Sequence, residues 1–181
     1  MIMSNVILYI ATSLDGYIAK VDHDISWLSN VEVKGEDYGY RDFFDGISAV
    51  IMGNTSFQVI KDFDDWPYAD KQCFVASHSP DITPNDNVTF ITDPAATIKQ
   101  LKASSKGNIW LLGGANLADS LLRLDLVDEL ILSTIPILLG NGIRLFNAPL
   151  PELGVILLSS QSYPSGLIQT HYKIIKNNKS A

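Results

Sequence analysis

Two short segments of this chain share one design. Ala49-Val50-Ile51-Met52-Gly53 runs into Asn54-Thr55-Ser56, and Ile109-Trp110-Leu111-Leu112-Gly113-Gly114 runs into Ala115-Asn116. Each reads as a buried strand, a glycine at its end, then a helix N-terminus. Glycine lets a backbone approach a ligand without a Cβ clash, and the exposed N–H groups and dipole of a helix start favour an anion. Two such turns in one sheet can hold the two ends of a dinucleotide at the carboxyl ends of the strands, where α/β sheets bind ligands. Neither turn is a G-x-G-x-x-G or Walker sequence, and glycine at a strand-to-helix turn also serves geometry alone. The pair points to a ligand class and names no reaction.

A third segment raises the same question. The apolar run from Ile7 ends in Ala11-Thr12-Ser13, breaks at Asp15-Gly16, a turn signal, and resumes at Tyr17-Ile18-Ala19. A turn at a domain edge would explain this, and so would a strand whose end floors a binding site. Tyr9 on this run and Ser133 on a later one are candidates to face such a pocket. Chemistry based on other side chains has little material. The single cysteine, Cys73, excludes an intramolecular disulfide and a cysteine-based zinc site. It sits in a strand-like run as an expected buried, inert thiol. His23, His78 and His171 have no metal-ligand spacing, and no metal is expected.

The elements that must position these residues follow from periodicity. Strand-like runs recur at 6–12, 48–52, 72–77, 88–91, 108–112, 129–135, 155–161 and 167–174. Several are apolar on both faces, as strands covered on two sides are. Helical patterns fall between them at 37–44, 55–63, 94–105 and 116–124. The third of these has Asp93 as N-cap and Pro94 at its first position. Strand–helix alternation to about residue 135 predicts an α/β sheet with parallel strands. The turn cluster Ser162-Tyr163-Pro164-Ser165-Gly166 then predicts a closing antiparallel hairpin, so the sheet is mixed. Residues 20–35 form the longest irregular stretch of the first half, a length that is usually functional or mobile.

The bulk numbers set limits. A chain of 181 residues, 46% hydrophobic and 18% charged, fits one domain over 1–181 with a true core. The net charge of −7 argues against a nucleic-acid partner, because phosphate neutralisation needs a basic face. No apolar run is long enough to span a membrane, and no secretory signal is apparent, so a cytoplasmic protein acting on a small molecule is expected.

The order of these segments resembles that of the dihydrofolate reductase fold, most closely the reductase domain of bacterial riboflavin-biosynthesis deaminase-reductases. Ser13-Leu14-Asp15-Gly16-Tyr17-Ile18-Ala19 is similar to that subfamily's S-x-D-G-x-I-A. Met52-Gly53-Asn54-Thr55-Ser56-Phe57 resembles its M-G-R-x-T turn and helix. Leu112-Gly113-Gly114-Ala115 resembles its G-G-[GA] turn. Residues 136–146 resemble P-x-x-L-G-x-G-x-x-L-F. The resemblance implies a three-layer α/β/α fold, with a mixed, mostly parallel sheet and the C-terminal hairpin.

It also implies a cofactor, NADPH. Ala11 and Ile18 would flank the nicotinamide, so that the first strand breaks where it floors that pocket. Gly53, Asn54, Thr55 and Ser56 would meet phosphate and adenosine. Ser77 and His78 would approach the ribose, and Gly113, Gly114, Ala115, Asn116 and Leu117 would cradle the pyrophosphate. The family usually has Arg where Asn54 stands, and often where His78 stands. Losing these guanidinium forks weakens recognition of a 2′-phosphate, so NADH is not excluded.

The resemblance places Asp37 at the family's active-site carboxylate, although capping of a helix start explains it equally. Asp15 belongs to the S-x-D-G pattern, where an Asp-Gly turn is a sufficient structural account. Trp27 resembles a tryptophan that flanks substrate. The implied activity is hydride transfer to a C=N centre of a small pterin- or pyrimidine-like molecule, with residues 20–35 as a lid. Two alternatives stand beside it: a nucleotide-binding protein without catalysis, and the riboflavin-pathway reductase. The subfamily's Lys is Tyr9 here, which argues against a phosphoribosyl substrate. A homodimer is plausible because the related domains pair, with 129–135 and 155–158 as candidate contact strands.

Overall fold

The computed structural model describes residues 4–61, 66–78, 88–147 and 149–176. Its principal sheet has eight strands: β1 (Val6–Ser13), β3 (Ile47–Gly53), β4 (Gln72–Ala76), β5 (Val88–Ile91), β6 (Asn108–Gly113), β7 (Glu129–Ile135), β9 (Val155–Ser162) and β10 (Ile168–Ile174). They lie in the order β5-β4-β3-β6-β1-β7-β10-β9. The pairs from β5 to β7 are all parallel, and β10 runs antiparallel to both β7 and β9. The predicted mixed sheet and closing hairpin are therefore present.

Burial follows from this order. In the central strands β3 and β6, Val50, Ile51, Met52, Ile109 and Leu111 are almost entirely buried, because helices cover both faces. α3 (Pro94–Ser104) and α4 (Ala115–Arg123) pack on one face through Ile98, Leu101, Leu117, Ala118 and Leu121. α1 (Tyr40–Asp45) and α2 (Asn54–Ile60) pack on the other, where Phe43, Phe44, Phe57 and Ile60 meet Val50, Met52, Val75 and Trp110. Truncating a fully buried side chain such as Leu8 to alanine would cost about 2–5 kcal/mol. α3 starts as its sequence dictates: Asp93 accepts the Ala96 N–H at 2.9 Å, with Pro94 at the first position.

Several expectations need correction. The helix predicted over 37–44 begins only at Tyr40, because Tyr38 and Gly39 both adopt left-handed backbone, φ 57° and 75°. The helix predicted over 55–63 spans Asn54–Ile60, and residues 62 and 63 lie outside the described residues. A second, two-stranded sheet went unforeseen. It joins β2 (Tyr17–Ala19) to β8 (Ile143–Arg144), strands of only three and two residues. Residues 20–35 are not wholly irregular, since Ser26–Val31 forms a 3-10 helix with Trp27 and Val31 buried. Strand 129–135 cannot be a free contact face, because β7 is an interior strand between β1 and β10. No helix among the described residues is long and apolar enough to cross a membrane.

Candidate functional site

The two glycine turns meet. Met52 pairs with Gly113 across β3 and β6, and the Gly114 N–H donates to Ser56 Oγ at 2.9 Å. Gly113 has φ 123°, and a Cβ there would lie 3.0 Å from Ile10 Cδ1. The positive φ disfavours any side chain there, and a Cβ would also press on Ile10. The first bond of α4 runs from Ala118 N to Gly114 O, and no side chain caps the helix. The N–H groups of Ala115, Asn116 and Leu117 thus face out of its N-terminus, a donor set that fits an anionic pyrophosphate. Ser77 and His78 follow β4 directly beside this turn, since Gly53 pairs with Ala76, and His78 is exposed. Asn54 Oδ1 accepts from Gln58 Nε2 at 3.3 Å, within α2.

A cleft of about 840 Å³ opens on the α1 side of the sheet. Tyr9, Ala11 and Ser133 form its floor, Tyr40 and Trp110 stand in its wall, and Glu32, Lys34, Glu36 and Asp37 lie along it. Register explains the floor. Ala11 pairs with Ser133 across β1 and β7, and Ser133 pairs with Gln169 across β7 and β10. Directly paired residues share a face. Gln169 Nε2 contacts Tyr9 Oη at 3.0 Å, Tyr38 O at 3.1 Å and Ser133 Oγ at 3.1 Å. Tyr38 O can only accept, which fixes the amide nitrogen on this side. Tyr9 is wedged between Phe43, edge-on at 4.6 Å, and Trp110, whose Nε1 donates to Tyr9 O at 3.0 Å. Burial raises the Tyr9 phenol above its ordinary value, and hydrogen bonds from Ser133 and Gln169 oppose the rise.

The remaining sequence candidates separate. Asp37 lines the cleft, and its two carboxylate oxygens accept from the N–H groups of Gly39 at 3.0 Å and Arg41 at 3.3 Å, at the start of α1. Asp15 lies outside the cleft. Its carboxylate accepts the Ser13 hydroxyl at 2.6 Å, Leu139 N at 3.1 Å and Gly140 N at 2.7 Å, so it fastens two loops. The Ser13 hydrogen bond, ahead of the backbone donors, holds its carboxyl down at about 2. Trp27 is buried beneath the cleft against Val31, Ile135 and Leu167, and does not line it. Ile18 packs with the α3–α4 cluster, away from the cleft floor. Gln169 went unread, because it is one of several polar residues in its hairpin strand, beside Thr170, His171 and Lys173. Cys73 is buried, and burial pushes its thiol up to about 11, as an inert thiol requires. No group of metal-ligating side chains occurs among the described residues.

With this geometry in hand, comparison with known proteins gives the fold first. The chain superposes on dihydrofolate reductase from Enterococcus faecalis with a TM-score of 0.67 at 13% identity, over 95% of this chain and 97% of that one. The fold is the three-layer dihydrofolate reductase-like one. A candidate riboflavin biosynthesis protein from Shewanella sp. PV-4 is nearer, with a TM-score of 0.86 and 30% identity over 96% of this chain and all of that one. The uncharacterized protein YwjB of Bacillus subtilis strain 168 is 40% identical over 168 residues, 92% of this chain and 95% of the relative. The profile of the RibD C-terminal domain matches residues 4–169, and the chain belongs to that family.

Proposed function

We propose that this protein is an NAD(P)H-dependent reductase that delivers hydride to a C=N centre of a small pterin- or pyrimidine-like molecule. The observation that carries the reading is the junction of the two glycine turns, Ser56 Oγ to Gly114 N, at the carboxyl ends of β3 and β6. Gly53, Thr55, Ser56 and the α4 N-terminus would hold the phosphates, with Ser77 and His78 near the ribose. The cleft begins on the neighbouring strand β1, where Ala11 would orient the nicotinamide. When bound, that cofactor would supply the hydride. The chain's part is to place a flat substrate on the Tyr9–Ala11–Ser133 floor and to bring a proton from Tyr9 or Asp37. Residues 28 and 31–34 line the cleft, so the 20–35 segment is suited to act as a lid.

Tryptophan fluorescence tests this. Trp110 lies in the cleft wall, and titration with NADPH and separately with NADH is expected to quench it saturably. No saturable binding of either would sink the reading.

A second reading, reduction of a phosphoribosyl-pyrimidine in riboflavin synthesis, is favoured by the family match. The cleft weighs against it. Tyr9 replaces the subfamily's lysine, and Glu32, Glu36 and Asp37 outnumber Lys34 along the opening. Turnover of the deaminated ribosylamino-pyrimidine phosphate would decide for it.

A homodimer is part of the proposal. The edge strand β9 exposes Val155, Ile156, Leu157 and Leu158, each between 44% and 54% accessible, and carries no charge to block pairing with a second copy. Sedimentation equilibrium showing monomer only at micromolar concentration would count against it.

A further inference from the structure

We propose that Tyr9, and not Asp37, donates the proton that completes the reduction, with Gln169 as its positioning residue. The inference rests on the reductase reading and names the acid that reading leaves open.

The argument begins with hydrogen-bond supply. A primary amide has two N–H groups, and three oxygens lie within 3.1 Å of Gln169 Nε2. Tyr38 O is a pure acceptor and takes one. The other is shared by the Tyr9 and Ser133 hydroxyls, so Tyr9 Oη acts as an acceptor in this network. Tyr9 Oη is hydrogen-bonded to Ser133 as well as to Gln169, and with both of these donating to it, its own proton is left for the cleft. That proton is carried in the floor of the cleft, two residues from Ala11 on the same face of β1. Asp37 is arranged oppositely. Both of its oxygens already accept backbone N–H bonds, from Gly39 and Arg41 at the start of α1, and its side chain is exposed. Asp37 is fitted to hold the helix start, and Tyr9 is fitted to give a proton.

The step balances. As the C=N carbon accepts hydride, its π pair moves onto nitrogen. Nitrogen forms its N–H bond with the proton of Tyr9 Oη, whose O–H bond breaks. The two electrons come from a dihydronicotinamide, which is left oxidised. The Tyr9 phenolate is held by N–H donation from Gln169 and by the Ser133 hydroxyl until it regains a proton from water. A positioned acid of this kind contributes about a hundredfold or more to rate.

Three measurements test the assignment on full-length protein. The wild type is first titrated with NADPH and NADH. Failure to bind either ends the reductase reading and this inference with it. Turnover is then followed with dihydrofolate and a dihydropterin as C=N probes. Tyr9→Phe keeps the ring contacts to Phe43 and Trp110, and is expected to retain cofactor affinity within twofold while losing at least a hundredfold in kcat. The third readout needs no turnover: protein carrying ¹³Cζ-tyrosine is titrated with base. The Tyr9 resonance, assigned by its loss in Tyr9→Phe, is expected to ionise at higher pH in Gln169→Leu, and the alkaline limb of the rate profile should move with it. The inference is overturned if Tyr9→Phe keeps kcat within threefold, or if Asp37→Asn abolishes turnover that Tyr9→Phe spares. It is equally overturned if a wild type that binds cofactor reduces neither probe, or if Gln169→Leu leaves the Tyr9 titration unmoved.

Discussion

Asp15 Oδ2 accepts the Gly140 N–H at 2.7 Å, across 125 residues of sequence. This bond, with those to Ser13 and Leu139, ties the β1–β2 turn to the loop that leads into β8. The carboxyl is held at about 2 in the folded protein against an ordinary 3.8. A depressed carboxylate contributes stability that is full above its unfolded value and is lost as pH falls through its folded value. The thermal midpoint of the wild type should therefore drop between pH 4 and pH 2. Asp15→Asn should start lower at neutral pH and drop less over that interval, in parallel calorimetric scans. Equal acid sensitivity in both proteins would remove this account.

Trp27 gives a second expectation. It is 4% exposed, and its Nε1 has no hydrogen-bond partner among the described residues. Trp27→Phe therefore loses no bond and should cost less than about 1.5 kcal/mol. Trp27→Ala empties the site and should cost about 3–5 kcal/mol. Urea midpoints compare the two, and a Phe variant as unstable as the Ala variant would show that the indole N–H is bonded after all.

Asn54→Arg tests the adenosine end of the proposed cofactor site. Asn54 opens α2 beside Ser77 and His78, and its side chain accepts from Gln58. A guanidinium there should raise affinity for NADPH relative to NADH by about tenfold, within the range of a charge-assisted hydrogen bond. An unchanged ratio in paired fluorescence titrations would place the 2′-phosphate elsewhere.

Cys73 should resist thiol reagents. Its sulfur lies 3.6 Å from Tyr68 O, it is buried, and its thiol is pushed up to about 11. At pH 8 the thiolate is scarce and shielded. Reaction with Ellman's reagent should be slow in the native protein and complete within the mixing time in denaturant. Rapid native reaction would show that the β4 region opens.

Much of this molecule could be read before its structure. β5 and β7 have the limits their strand-like runs imply, because short segments rich in β-branched and apolar residues announce strands. The glycine turns were equally legible. The misses have physical causes. β2 and β8 are too short for any period to register, and their pairing joins Tyr17 to Arg144, far apart in sequence. The start of α1 depends on two successive left-handed residues, one of them a tyrosine that nothing local marks. Gln169 reaches the cleft only through register across three strands. Trp27 and Asp15 were candidates by type, and burial and hydrogen bonding gave them other work. The exposed stretch 155–158 read as a contact strand alongside 129–135, and only the sheet order separates an edge from an interior strand.

The position of β1 bears on how the chain acquires its shape. This first strand sits between β6 and β7, pairing Leu8 with Leu111 and with Leu130. A nascent polypeptide leaving the ribosome must therefore carry this largely apolar strand unpaired until β6 has been made. Such non-local parallel pairing raises contact order and slows folding. Early β3 and β4 can associate with each other, but the centre of the sheet cannot close before synthesis passes β7. During that interval the apolar side chains around Val6–Ile10 are exposed, the condition under which chaperones act.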